Sequence, residues 1–328
     1  MKDFLFFTYS FVPTAMYLFK AIENCGYNCD LVTELDFDSF VCESKYRVVV
    51  GYLHEPNHIR VINELREGIL KDSYFIQHDD TDNYCINYWF SKPPNLIMHR
   101  ELFSYSRTPY PDVPAYPMHF PIPSIYKEEY QNKIYDVTFI GGHTNPRRVH
   151  FVNHLKSLME GSLKHLNWYF KHEGYGDGKD YLVNKNDTFR VYNQSKIIIH
   201  NPGNSQDSVR IWEAVSAKAV LLSPQLPNLS LTKEFMDFDK YVVYKDDFSD
   251  LADKILWILN GDNWKRISDI SVNEYLTRQA PYHCFVYYYN IIMHYCGLEK
   301  KPIKRMSARP IFMDIKWGHE FGYGADIE

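Results

Sequence analysis

Two runs of alternating strand and helix patterns, split by a proline-rich stretch, constrain this chain more than any other feature. In the first run, FLFFTYS (4–10) is a short apolar segment, and TAMYLFKAIENCG (14–26) has helical spacing ended by Gly26. CDLVTEL (29–35) and YRVVVGYL (46–53) are rich in β-formers, and the unbroken Val48-Val49-Val50 suits a strand buried on both faces. NHIRVINELREGIL (57–70) reads as a helix, and SYFIQHDD (73–80) and NLIMHREL (95–102) as two more strands. Residues 108–126 hold six prolines and almost no period, which marks a linker or extended crossover.

The alternation then restarts. YDVTFIGG (135–142) is a strand, a helix covers about 146–160, and LNWYFK (166–171) is a strand. A helix near 186–194 precedes the strand KIIIH (196–200), a helix follows the loop after it, and AVLLS (219–223) is another strand. YVVY (241–244), a helix at 248–260 and helices over 262–297 complete the run. Such alternation predicts mostly parallel sheets covered by helices. The expected fold class is therefore α/β, two Rossmann-like domains facing a cleft. Residues 1–125 form the first, 126–300 the second, and 301–328 a tail packing back on the domains, its run KKPIKR (300–305) solvated.

The chain of 328 residues is long enough for two ordinary cores, and 45% apolar residues make it globular. A formal net charge of −5 argues against strong non-specific binding to nucleic acid or anionic membrane. The six cysteines show neither a Cys-x-x-Cys pair nor a Cys/His ligand ladder, so reduced, packed thiols are expected rather than a metal or redox site. The apolar N-terminus carries Asp3 and Pro13 and lacks a small-residue cleavage site, and no run reaches membrane-spanning length. A cytoplasmic location is the expectation.

Two turns carry the chemistry. At VTFIGGHTNPRR a strand runs into Gly141-Gly142, and Asn145-Pro146 forms an N-cap and first helical residue. Glycines let the backbone approach a ligand, and a helix N-terminus favours phosphate. Arg147 and Arg148 have the wrong charge for that end of a helix, unless an anion sits there. Neither GxGxxG nor a P-loop is present, so a nicotinamide site or an NTPase is not supported. In NPGNSQDSVRIWEAVSAKAVLLSP (201–224), Asp207 or Ser208 caps a helix whose Val209, Trp212 and Val215 pack. Arg210 and Glu213 share the other face. A carboxylate accepts ribose hydroxyl protons and an arginine pairs with diphosphate, so together they suit a nucleotide diphosphate joined to a sugar. A plain intrahelical ion pair is the alternative.

The YDVTFIGG turn with its arginines, followed by VYNQSKIIIHNPGNSQDSVRIWEAVSAKAVLLS, resembles the donor-binding half of GT-B glycosyltransferases of group 1, nearest the spore-maturation CgeB-like branch. The resemblance covers about residues 135–290. It implies Glu213 on the nucleotide ribose, with Gly141, Gly142, Arg147, Arg148, Arg210 and Asn201 around the diphosphate. It also implies a metal-independent hexosyl- or pentosyltransferase using a nucleotide-sugar, UDP- or GDP-linked, and no further cofactor. Many retaining members carry a second glutamate eight positions before the ribose glutamate. Ser205 stands there, which leans the outcome to inversion. A weaker similarity runs to phage DNA β-glucosyltransferases, through AMYLFKAIENCGYNCDLVT and VRIWEAVSAKAVLL.

The base for a hydroxyl acceptor (glycan, protein or small molecule) is expected at the carboxyl ends of the first domain's strands. Those ends offer His54, the cluster His78, Asp79, Asp80 and Asp82, and His99-Arg100-Glu101. Asp79 and Asp80 come first, then His54, since crowded carboxylates can be pushed toward a working pKa. Asp80-Thr81-Asp82 also matches a D-x-D metal motif. Asp36-Phe37-Asp38 and Asp237-Phe238-Asp239 share that short pattern, so a metal role is not assigned. Rival readings are a DNA glucosyltransferase acting on hydroxymethylated bases, with duplex DNA as partner, and a non-catalytic nucleotide-sugar-binding protein.

Overall fold

The computed structural model describes residues 1–9, 13–34, 36–52, 55–79, 90–99, 110–118, 132–142, 145–173, 185–203, 208–226, 241–303, 306–310 and 323–327. Two compact units form. One comprises Met1–Pro123 and Pro281–Glu328, the other Ser124–Asn228 and Lys233–Ala280.

In the first unit, strands β1 (Lys2–Phe7), β2 (Cys29–Val32), β3 (Tyr46–Gly51), β4 (Tyr74–Asp79), β5 (Leu96–His99) and β6 (Ala115–Pro117) make one sheet in the order β2-β1-β3-β4-β5-β6. All its pairings are parallel. Parallel strands need covered faces, which the sequence supplies as continuous apolar runs. Phe4, Phe6, Val48, Val50, Ile76 and Met98 pack on one face with helix α1 (Pro13–Asn24). Leu5, Phe7, Val49 and Phe75 pack on the other with Ile62 of helix α2 (Pro56–Glu67).

The second unit repeats the plan. Strands β7 (Tyr135–Gly142), β8 (Trp168–Glu173), β9 (Ser195–Ile199), β10 (Val220–Ser223) and β11 (Val242–Val243) take the order β11-β10-β9-β7-β8, again all parallel. Helices α3 (Pro146–Glu160), α4 (Lys185–Asn193), α5 (Val209–Ser216), α6 (Leu251–Leu259) and α7 (Asn263–Glu274) belong to it. Phe151, Val152 and Leu155 of α3 and Leu251, Ile255 and Ile258 of α6 bury one face. In both sheets the chain reverses its direction of strand addition between the first and third strands. Doubly wound sheets bind ligands at that reversal, beyond the carboxyl ends.

Helix α8 (Pro281–Cys296) departs from the sequence reading, which carries the second domain through residue 300. Its Cys284, Phe285, Tyr288, Tyr289, Ile292 and Met293 lie in the first unit's core with Phe4, Phe6 and Leu18. The helix is apolar enough to seal either sheet, so its pattern names no partner. The basic run beyond it is not simply solvated. Lys301 Nζ donates to the Gly26 carbonyl and stands 4.2 Å from the Tyr27 ring centroid, while Tyr27 Oη donates to the Glu299 carbonyl at 2.6 Å. Further on, strands β12 (Met306–Pro310) and β13 (Tyr323–Ile327) pair antiparallel. Among the described residues no helix is long and apolar enough to cross a membrane, and none of the five described cysteines forms a disulfide.

Candidate active site

The second sheet reverses between β7 and β9, and the two singled-out turns meet there. Asn145 caps α3 as the sequence predicts, with Oδ1 accepting from Arg148 N at 2.9 Å and Pro146 at the first helical position. Its Nδ2 donates to the Gly203 carbonyl at 2.9 Å. One side chain thus ties the start of α3 to the loop after β9. Gly141 is required by packing rather than by a left-handed backbone. A Cβ there would lie 2.9 Å from Phe139 Cζ and 3.7 Å from Arg148 Nη1.

The two arginines separate. Arg148 is buried, and its Nη2 donates to the Asn201 carbonyl while Nη1 reaches the Gly142 carbonyl at 3.5 Å. Its guanidinium therefore spans the ends of β7 and the loop after β9. Arg147 turns outward to Asp246, 2.6 Å away, in an exposed pair. Asp246 offsets the unfavourable charge at the helix start, although such surface pairs contribute only about 0–1 kcal/mol.

His200 and Asn201, just beyond β9, are fully buried. Asn201 Nδ2 donates to Tyr244 Oη at 3.1 Å, and Tyr244 Oη donates to the His200 carbonyl at 2.8 Å. Burial, then the charges of Arg210 and Arg148, hold the His200 imidazole well below its ordinary pKa, so it stays neutral. Ser208, one of the two expected caps, accepts from Arg210 N at 3.3 Å. Asp207 and Ser205 lie outside the described residues.

Helix α5 is more enclosed than its pattern suggests, since Ile211 through Ser216 are all buried. Arg210 Nε donates to Tyr192 Oη at 3.3 Å. Burial pushes the Tyr192 phenol up to about 12; Arg210 opposes that shift and Glu213 adds to it. Arg210 and Glu213, three apart on α5, share a helix face by their spacing. Glu213 is only 4% exposed.

His200 Nδ1 and Nε2, Asn201 Oδ1 and Arg210 Nη1 are buried without a hydrogen-bond partner among the described residues. Buried polar atoms are rarely left so; Arg210 Nη1 can only donate and Asn201 Oδ1 only accept, so this group suits a polar partner that does both. Sequence reasoning passed over Asn145's bridge, Tyr192, His200 and Tyr244. Tyr192 and His200 stood inside the quoted VYNQSKIIIH, but only their burial beside two arginines distinguishes them.

In the first unit, His54, Asp80, Asp82, Arg100 and Glu101 lie outside the described residues. Asp79 ends β4 fully buried, with Oδ2 3.2 Å from Nδ1 of His99, its register partner on β5. Burial lowers the neighbouring His78 to about 4, with Asp79 pulling the other way. Asp79 is thus enclosed rather than open to solvent, and its Oδ2 approaches His99 Nδ1 without hydrogen-bond geometry. Among the described residues no group of three or more His, Cys, Asp or Glu could hold a metal ion.

No family model matches the chain, and no curated protein sequence does. Solved structures do match. An alpha-glucosyltransferase in complex with UDP-glucose and DNA containing an abasic site aligns with TM-score 0.58 at 10% identity, over 89% of this chain and 99% of that one. A glycosyltransferase from Rickettsia africae aligns with TM-score 0.55 at 11% identity, over 91% of this chain and 100% of that one. The pneumococcal O-GlcNAc transferase GtfA, in complex with UDP and GlcNAc, gives 0.50 at 10% identity, over 76% of this chain and 56% of that one. This chain therefore spans little more than half the length of GtfA. Its two Rossmann-like units are those of the GT-B fold.

Proposed function

We propose that this protein is a glycosyltransferase that takes a sugar from a nucleotide-sugar held in the second unit and passes it to a hydroxyl acceptor. A shared fold houses many chemistries, so the reading stands on the site. The observation that carries it is the cluster beyond β7 and β9, where Arg148, Arg210, His200 and Asn201 converge beside the capped start of α3.

In this reading the diphosphate lies against the α3 N-terminus and the guanidinium of Arg210, whose Nη1 gains a partner. Arg148 braces the Gly141-Gly142 end of β7, and Arg147, committed to Asp246, contributes only at longer range. Glu213 receives the ribose hydroxyls, with Tyr192 holding Arg210 in register. Positive charge at the departing diphosphate is the service a metal would otherwise give. On the acceptor side, the hydroxyl proton passes to a base among Asp79, Asp80 and His54. Inversion, the sugar and the nucleotide base are parts of the proposal that turnover products decide.

The test is calorimetric titration with UDP and GDP, followed by product analysis with UDP- and GDP-sugars. Wild type is expected to bind one nucleotide, and Glu213→Ala to bind it about tenfold or more weakly with unchanged circular dichroism. Equal affinity in both proteins removes Glu213 from the ribose. Binding with neither transfer nor slow hydrolysis would favour a non-catalytic binding protein instead. A DNA acceptor is the second reading, favoured by the DNA in the complex of the most closely superposing of these three neighbours. The net charge of −5 weighs against it, and a gel shift with duplex DNA at low salt decides it.

A further inference from the structure

A cavity of about 590 Å³ opens at the opposite edge of the first sheet, where β3 and β4 begin. Four separate segments bring cations to its wall: Lys45 and Arg47 flank the start of β3, Arg66 ends α2, Lys71 precedes β4, and Lys92 precedes β5. Asp72 is the only carboxylate in the wall among the described residues. The chain as a whole carries more acidic than basic residues, so this is a local reversal of sign.

Arg66 sets the site apart from an ordinary lysine-rich surface. It is 8% exposed, its guanidinium lies 4.0 Å from the Phe75 ring centroid, and Nη1 and Nη2 donate to the carbonyls of Lys92 and Pro93 at 2.8 Å each. Those bonds engage two of its five donors without neutralising its charge. No carboxylate of the described residues pairs with Arg66, Lys45, Arg47, Lys71 or Lys92. Burial drags the Arg66 guanidinium down to about 10, as expected for a cation lacking a counter-charge. Ile69, Leu70 and Pro93 add an apolar portion to the same wall.

We propose that this cavity binds a small organic phosphate, its phosphoryl group among Lys71, Lys92 and Arg47 and its apolar body against Ile69, Leu70 and Pro93. Several cations lining one cavity favour a phosphate dianion over a carboxylate, which a single arginine fork would satisfy. The volume suits a small molecule rather than a polymer. The site lies within the first unit, at the sheet edge away from the strands' carboxyl ends, and it does not depend on the donor site proposed above.

The test is calorimetric titration of the full chain with phenyl phosphate at low salt, with benzyl alcohol as the uncharged control. Wild type is expected to bind phenyl phosphate at a single saturable site and not benzyl alcohol. The double variant Lys71→Glu/Lys92→Glu is expected to bind about tenfold or more weakly. Both lysines are exposed, so its thermal midpoint should match wild type; Arg47→Gln provides a second, single-site variant. Arg210→Ala, in the other unit, is expected to leave the binding unchanged. Absence of saturable binding to wild type, equal binding by the double variant and Arg47→Gln, or loss caused by Arg210→Ala each overturns the proposal.

Discussion

Phe139 and Gly141 show how strongly single residues shape the site. The Phe139 ring is fully buried, edge-on to Phe151 and stacked on Phe170, so it has little room to move. A methyl at Gly141 would sit 2.9 Å from its tip, inside normal contact distance. Gly141→Ala should therefore destabilise the protein by about 1–3 kcal/mol, the usual range for overpacking. It should also weaken nucleotide binding by moving the end of β7 that Arg148 braces. Urea unfolding and nucleotide titration check the two parts, and an unchanged midpoint would show that the ring yields. The Asn-Pro cap was legible in the sequence because it is a local backbone requirement, whereas Gly141 and Gly142, read there as a turn, end β7 as paired strand residues. The different fates of Arg147 and Arg148 were not legible, since adjacent helical residues of one type are distinguished only by what lies across from them.

Helix α5 ends against a lysine from outside its own segment. Lys133 Nζ donates to the Ala217 carbonyl at 3.1 Å, a cation at the negative end of the helix that carries Glu213. Burial, with the nearby Lys218 charge, nonetheless lowers its pKa to about 7. The sign follows from proton counting. Between about pH 7 and 10.5 the unfolded chain holds a proton at this lysine that the folded chain has released, so stability rises with pH across that window. Below pH 7 the partly buried charge costs stability in full. Relative to Lys133→Met, wild type should gain in thermal midpoint as pH is raised from 7 to 10. A midpoint difference that stays constant over that range would show that Lys133 titrates as an ordinary surface lysine. No feature of the segment around Lys133 announces this, because its partner lies 84 residues away.

At the scale of the whole molecule, α8 completes the unit that contains the chain's first strand. Phe285, Tyr289, Ile292 and Met293 are each at most 2% exposed in a core shared with Phe4, Phe6 and Val48. Each such side chain contributes about 1.5–3 kcal/mol on burial, so four together rival the 5–15 kcal/mol stability of a typical domain. A chain ended after Ala280 should lose cooperative unfolding and amide-exchange protection in β1, β3 and β4. Retained protection in those strands would mean that the first unit folds without its last helix.

The sequence by itself determined two parallel α/β units, the capped start of α3 and the helix that brings Arg210 and Glu213 together. Each depends on period, turn chemistry and capping within some twenty residues, which local order alone expresses. Tertiary structure decided which unit α8 seals, that Asp79 faces His99, that Arg148 rather than Arg147 spans the two turns, and that five scattered cations line one cavity. These outcomes rest on contacts between residues far apart in the chain. Their geometry exists only once both sheets have formed.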